Sequence, residues 1–287
     1  NYLLTDLPSS QFNHIILFVP NGKDTTWLEC TSQTLSAGYI GGGTGNRYAL
    51  AVDENGGALV RTPRYDKDDN LQVRHIIATI DETGMLKADI RTKYMAEQQD
   101  RLHYITTGLS KDKLMEYLKE NIDLATYDVT NFSYNKDKTA LPSISEKLDL
   151  VADNYATVSG KRCFVVPNII SRTYRKIKPV ENRKYDLVLD FEFKDIDSTE
   201  ITLPTGYTTE SVPQDVKIES KFGNYSNSIK VKDNKIIYYR SYEHLSGRYP
   251  PTDYNELVKF YEAVYKADRN RVVLVKTETA PVEKKAF

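Results

Sequence analysis

The chain has 287 residues, enough for about two domains and a substantial buried core. Hydrophobic residues make up 40% and charged residues 28%, the profile of a globular protein, and no run approaches the roughly 18 apolar residues of a membrane span. Lys plus Arg number 39 against 40 Asp plus Glu, so the net charge of -1 lacks the basic excess that a phosphate backbone requires and argues against nucleic acid as a partner.

The apolar run Ile15-Ile16-Leu17-Phe18-Val19 predicts a strand ending at Pro20 and an Asn21-Gly22 turn, since Pro fixes φ and Asn-Gly accepts positive φ. Thr25-Thr26-Trp27-Leu28 predicts a second strand. A glycine-rich stretch over 38–45 follows, then strands over 48–52 and 58–60 around the hairpin signal Asn55-Gly56-Gly57. These first residues, up to about 60, read as one small antiparallel sheet with no helix, thin for an independent domain.

From Asn70 the period-two pattern is cleaner. Leu86, Ala88, Ile90, Thr92 and Tyr94 alternate with Lys87, Asp89, Arg91 and Lys93, as a strand with one wet face requires. Gly84 supplies the turn from a strand over 73–80. Ser110 is placed to cap a helix whose stripe is Leu114, Tyr117 and Leu118. Strands are predicted over 128–134, 146–158 and 162–166. Leu187, Leu189, Phe191 and Phe193 share one face of a further strand, opposite Asp186, Asp190 and Glu192. Others fall at 201–203, 216–222, 228–231 and 236–239, with Asp233-Asn234 as a tight turn. Asp253 is the expected N-cap of a late helix striped by Leu257, Phe260, Tyr261 and Val264, with Glu256 three residues on. A strand over 272–275 closes the chain, and 277–287 reads as a loosely held tail. The predicted fold is mainly β with two or more isolated helices and a β-sandwich-like body, which suits 21 Tyr against 9 Phe.

Few constellations carry chemistry. His14 and Glu29 lie on or beside two short strands joined by one turn, so antiparallel pairing brings them together. A carboxylate beside an imidazole fixes its tautomer, as the third member of a Cys-His-acid triad does; spacing alone leaves a surface or packing role open. If residues 26–30 are extended, Glu29 and Cys30 point to opposite faces, so Cys30 reads as a small buried hydrophobe, and so does Cys163. Two cysteines fit oxidising and reducing compartments equally and have no metal spacing.

Gly41-Gly42-Gly43-Thr44-Gly45 lacks the Lys-Ser/Thr pair and following helix of a phosphate loop, and reads as a flexible loop near a cleft. Asp66, Asp68 and Asn70 lack the turn glycine and distal Glu of a calcium loop, and read as a solvated turn. His75, His103 and His244 are scattered, with His75 sharing strand parity with Val73 and Ile77 as a core or boundary residue. The basic segment 172–178 around Tyr174 reads as a solvated loop ahead of a single-strand nucleic-acid patch.

The stretches Phe12-Asn13-His14-Ile15-Ile16-Leu17 and Asp24-Thr25-Thr26-Trp27-Leu28-Glu29-Cys30-Thr31-Ser32-Gln33 resemble the C-terminal part of a bacterial, Bacteroides-like transglutaminase-like domain. So does Gly45-Asn46-Arg47-Tyr48 leading into Gly56-Gly57-Ala58-Leu59-Val60. Beyond it, Ile201-Thr202-Leu203-Pro204-Thr205-Gly206-Tyr207, Val212-Pro213 and Phe222-Gly223-Asn224-Tyr225 resemble the β-rich module of unknown function that follows such papain-like cores in large secreted or periplasmic proteins.

The resemblance implies that 1–63 is the C-terminal sheet portion of a transglutaminase-like α+β core and 64–287 a β-rich accessory domain, with a subdivision near 175–182. It implies His14 as catalytic base, Glu29 in place of the family's usual Asp, and Trp27 as aromatic packing near the site. The family's nucleophilic Cys lies upstream of the His, and no Cys precedes His14 here. The chain opens Asn1-Tyr2-Leu3-Leu4 with no initiator Met or signal segment.

The expectation is therefore a fragment of a cysteine acyltransferase or protease that is inactive alone, with the upstream half of the same domain as partner and a peptide or protein as substrate. No cofactor and no metal are expected, and the implied setting is periplasmic, cell-envelope or secreted. The alternatives are a non-catalytic carbohydrate- or protein-binding or structural module, and a hydrolase using Cys30.

Overall fold

Two hairpins lead the chain in the computed structural model, which describes residues 3, 4, 6, 9–22 and 24–277. Strand β1 (Leu17–Asn21) pairs with β2 (Asp24–Leu28), with Leu17 opposite Leu28 and Phe18 opposite Trp27. Strand β3 (Tyr48–Asp53) pairs with β4 (Gly56–Arg61) around the two-residue loop Glu54-Asn55. The hairpins form separate sheets, where one was expected. The glycine-rich stretch between them is not a loose loop: Gly41–Thr44 makes a helical turn, α1, entered through Gly41 at φ +71.

The body follows in order: β5 (Leu71–Ile80), β6 (Leu86–Met95), α2 (Asp100–Gly108), α3 (Lys111–Asn121), β7 (Tyr127–Asp137), β8 (Ser143–Ala152), β9 (Thr157–Ser159) and β10 (Arg162–Val165). Then come β11 (Leu187–Leu189), β12 (Phe193–Thr202), β13 (Tyr207–Ser211), β14 (Val216–Ser220), β15 (Gly223–Lys232) and β16 (Lys235–His244). The last are β17 (Gly247–Tyr249), α4 (Tyr254–Ala267) and β18 (Val272–Lys276).

Eight strands form one sheet in the order β14-β15-β16-β12-β5-β6-β8-β7, antiparallel throughout except where β12 runs parallel to β5. A four-stranded sheet, β13-β18-β10-β9, packs on half of its inner face. There Ile76, Ile90, Leu148 and Ile201 meet Val165, Val272 and Leu274, all buried. Full burial of each such side chain is worth about 1.5–3 kcal/mol. Helix α4 covers the other half, setting Leu257, Phe260, Tyr261 and Val264 on Tyr225 and Tyr242. The mainly-β, sandwich-like expectation holds, with a helix taking the place of strands over half of the second layer.

Several boundaries differ from expectation. The strand predicted over 187–193 is broken, because buried Glu192 turns to accept from Arg64 and Ser246 between β11 and β12. Strand β12 then absorbs the separate strand predicted at 201–203. The strand predicted over 146–158 stops at Ala152, and Asn154 at φ +52 turns the chain into β9. Asp253 occupies the N-cap of α4, but its carboxylate binds Lys221 at 2.8 Å and caps nothing.

Because the large sheet draws strands from both sides of 175–182, the subdivision expected there falls within a single shared sheet. Thr277 donates to the Gly206 carbonyl at 2.7 Å, and the rest of the predicted tail, 278–287, lies outside the described residues. No described helix is long and apolar enough to cross a membrane.

Candidate functional site

Hairpin β1–β2 brings the predicted pair together. His14, just before β1, and Glu29, just after β2, meet at 2.8 Å between Nε2 and Oε2. The other carboxylate oxygen, Oε1, accepts from the Thr31 backbone N–H at 3.0 Å and from its hydroxyl at 2.6 Å. Burial alone would push the Glu29 carboxyl up, but the hydrogen bonds from Thr31 and His14 together hold it below the usual range. The Glu29 side chain is 7% exposed and the His14 side chain 37%. With Nε2 on the acid, Nδ1 is left with no partner among the described residues. Trp27 packs on Phe18 across the hairpin, ring centroids 5.8 Å apart.

Neither cysteine joins the pair. Cys30, expected to be buried, is exposed, because β2 ends at Leu28 and the chain turns there; its Sγ is directed to the Leu28 carbonyl at 3.7 Å. Cys163 is buried in the main core, where burial pushes its thiol up.

The glycine run docks this segment on the body. Gly42 N–H donates to Asp100 at 3.3 Å and Tyr39 OH donates to the same carboxylate at 2.7 Å. A Cβ at Gly42 would lie 3.1 Å from the end of Glu97, so the close approach favours glycine. Glu97 sits in the 3-10 turn Ala96–Gln99; burial, reinforced by Asp100, Asp190 and Glu192, pushes its carboxyl up to about 7.

The remaining sequence candidates are structural. Asp66 accepts from the Asp68 and Asp69 N–H groups, and buried Asn70 bonds the Tyr65 and Glu192 carbonyls and the Glu97 N–H. Among the described residues no group of three or more His, Cys, Asp or Glu could hold a metal ion. His75 is on the exposed face of β5 and bonds Ser198 at 2.8 Å, since the inward parity belongs to Gln72, Arg74 and Ile76. His103 is buried and bonds Thr34 Oγ1 at 2.8 Å. The basic segment is anchored by side chains: Arg172 pairs with Asp123 at 3.2 Å and Lys176 lies over the Tyr265 ring.

A second polar constellation escapes the sequence reading. Asn227, Arg240, Asp197, Arg74, Thr92, Glu146 and Tyr134 stand side by side on seven adjacent strands, forming one row across the inner face of the large sheet. Arg240 donates to Asp197 at 2.9 Å and to Asp268, at the end of α4, at 2.8 Å. Ser171 donates to Asp197 at 2.6 Å; Asn168, Thr173 and Tyr225 all donate to Asp268. Arg74 reaches Thr92, Ser171 and, through Tyr94, Glu146. The ionic centre of the row is engaged on every side, so it clamps the sheet, α4 and the connection 166–186 and offers no reactive group. Arg74 and Arg240 share the inward parity of otherwise apolar strands, a signal present in the sequence.

Comparison with known proteins adds little chemistry. The family profile of DUF3858, a domain of unknown function with a solved structure, matches residues 161–274, less than half of the chain. No curated protein matches the sequence. A crystal structure from Parabacteroides distasonis, described as a "putative protease", is similar at 15% identity and a TM-score of 0.33. That similarity covers 40% of this chain and 23% of that one.

Proposed function

We propose that His14 and Glu29 are the general base and orienting acid of a transglutaminase-like cysteine centre, an acyltransferase or peptidase, whose thiolate comes from polypeptide outside these 287 residues. The observation that carries this reading is the 2.8 Å bond from His14 Nε2 to a carboxylate whose other oxygen is held by Thr31. Nε2–H thereby donates to Glu29, which stays ionised, and Nδ1 is left to accept a proton from a thiol. The thiolate then attacks an amide carbonyl, and His14 returns the proton to the departing amine.

Exposed apolar side chains on the same segment, among them Ile15, Leu17, Leu50 and Val52, fit a domain half that an upstream half of the same domain covers. The β-rich body would hold this half in place, in a secreted, periplasmic or cell-envelope protein. In the longer protein that supplies the cysteine, His14→Ala is expected to lower amide turnover by about 10²–10⁴. This chain alone is expected to react with a thiol-directed, mechanism-based inhibitor no faster than its His14→Ala variant. A His14-dependent rate in this chain alone overturns the reading.

A further inference from the structure

The long connection 166–186 has no regular secondary structure and crosses the inner face of the large sheet as a strap. Connections beyond about 12–15 residues without structure of their own are uncommon in compact folds and are usually either functional or linkers. Beneath this strap lies a cavity of about 380 Å³, within the size range of small-molecule sites.

Four arginines border the cavity: Arg74 and Arg240 from the sheet, Arg172 and Arg175 from the strap. Three have carboxylate partners: Arg240 with Asp197 and Asp268, Arg74 with Asp197 at 3.5 Å, and Arg172 with Asp123. Arg175 has none among the described residues. Its Nη1 donates to the Tyr261 hydroxyl at 3.0 Å and to His244 Nε2 at 3.1 Å. His244 Nδ1 faces the Phe191 carbonyl at 2.9 Å and must donate there, and Arg175, which has no acceptor, can only donate to Nε2, so the ring is neutral. Burial and the nearby Arg175 both push the His244 pKa down, in agreement with that tautomer.

Asp195, the one carboxylate in the wall, makes no ion pair among the described residues. It accepts from Gln98 at 2.7 Å, and burial pushes it up to about 6 despite Arg240 and Arg74 nearby. Two polar atoms of lining residues, Arg172 Nε and the Tyr242 hydroxyl, are buried without a partner among the described residues. A buried donor left unpaired is costly, so the residues of this wall carry unmet hydrogen-bonding capacity.

We infer that this cavity binds a small organic carboxylate, with its oxygens on the Arg175 guanidinium and its apolar body against Phe193 and Tyr242. Arg175 is the one guanidinium of the wall without a carboxylate partner among the described residues, which suits a single carboxylate; a phosphate dianion would bring more negative charge beside Asp195. The inference is independent of His14 and Glu29.

Titration calorimetry of the whole chain with N-acetylphenylalanine, its neutral amide and inorganic phosphate tests it. The acid is expected to bind at least about tenfold more tightly than the amide, and Arg175→Ala to weaken it by about tenfold. Asp195→Asn, which keeps an acceptor for Gln98 and removes a negative charge, is expected to tighten it by about threefold or more. Equal binding of acid and amide, binding of phosphate in place of the acid, an Asp195→Asn variant that binds more weakly, or no binding of any probe up to about 10 mM overturns the inference.

Discussion

The N-terminal hairpins and the β-rich body treat polar and apolar side chains in opposite ways. In the body Ile76 is 1% exposed and Val272 0%, while in the hairpin segment Ile15 is 86% exposed and Val52 69%. The polar groups differ in the same sense. Arg240 is enclosed between two carboxylates that are themselves held by Ser171, Asn168, Thr173 and Tyr225. His14 has one nitrogen engaged and one without a partner among the described residues. A buried pair with every donor and acceptor occupied fixes geometry, whereas a partly exposed pair with a free nitrogen is available for chemistry.

Breaking the body's clamp gives the largest expected effect. Arg240→Met removes the shared partner of Asp197 and Asp268 and leaves two buried carboxylates short of a cation. The expected cost is about 3–5 kcal/mol, read from the urea unfolding midpoint. Adding Asp197→Asn and Asp268→Asn to the same variant should recover part of it, because the penalty lies in the charges left behind. A loss under about 1 kcal/mol would mean that the polar row is not a clamp.

This contrast was only half visible in the sequence. Alternation over 86–94 gave the strand, its faces and the turn at Gly84, because one face is wet and the other dry. Helix α2 had no such signal: His103 is its only buried residue, so it carries no apolar stripe to read. The polar row was legible one residue at a time but not as a row, since its register joins β12 to β5 across more than 100 residues of chain. His14 and Glu29 were readable because a single hairpin joins them. The turn after Leu28 was not, and it left Cys30 exposed, where an extended strand would have turned it inward.

The junction between the two regions gives the next effect, through pH. The Glu97 carboxyl titrates near 7 in the folded chain against 4.5 when unfolded, so the folded form binds its proton more tightly. The associated stability is present below about pH 4.5 and lost as pH rises through about 7. Glu97→Gln should therefore stabilise the protein by about 1–2 kcal/mol at pH 8, allowing for solvent screening, and by much less at pH 5. His244 and His103 act in the opposite sense. Burial lowers both, so they withdraw stability as pH falls below their ordinary value of 6.5. Thermal melts of both proteins from pH 5 to 8 separate the two effects, and parallel curves would remove Glu97 from the junction.

The smallest effect on stability tests the hairpin pair most directly. Thr31 N–H donates to Glu29 Oε1, and an amide nitrogen cannot accept that bond, so Glu29→Gln must keep its oxygen on Thr31 and turn its NH₂ toward His14. His14 Nε2 then has to accept, which moves the proton of the neutral ring to Nδ1, the atom that a thiol needs free. Stability should change by less than about 0.5 kcal/mol, since the pair is partly exposed. The imidazole ¹⁵N shifts, recorded above about pH 8.5 where a free histidine is neutral, should show the Nε2–H form in the native chain and the Nδ1–H form in the variant. Should both carry the same tautomer, Glu29 does not orient His14, and the pair belongs with the structural polar groups of the body.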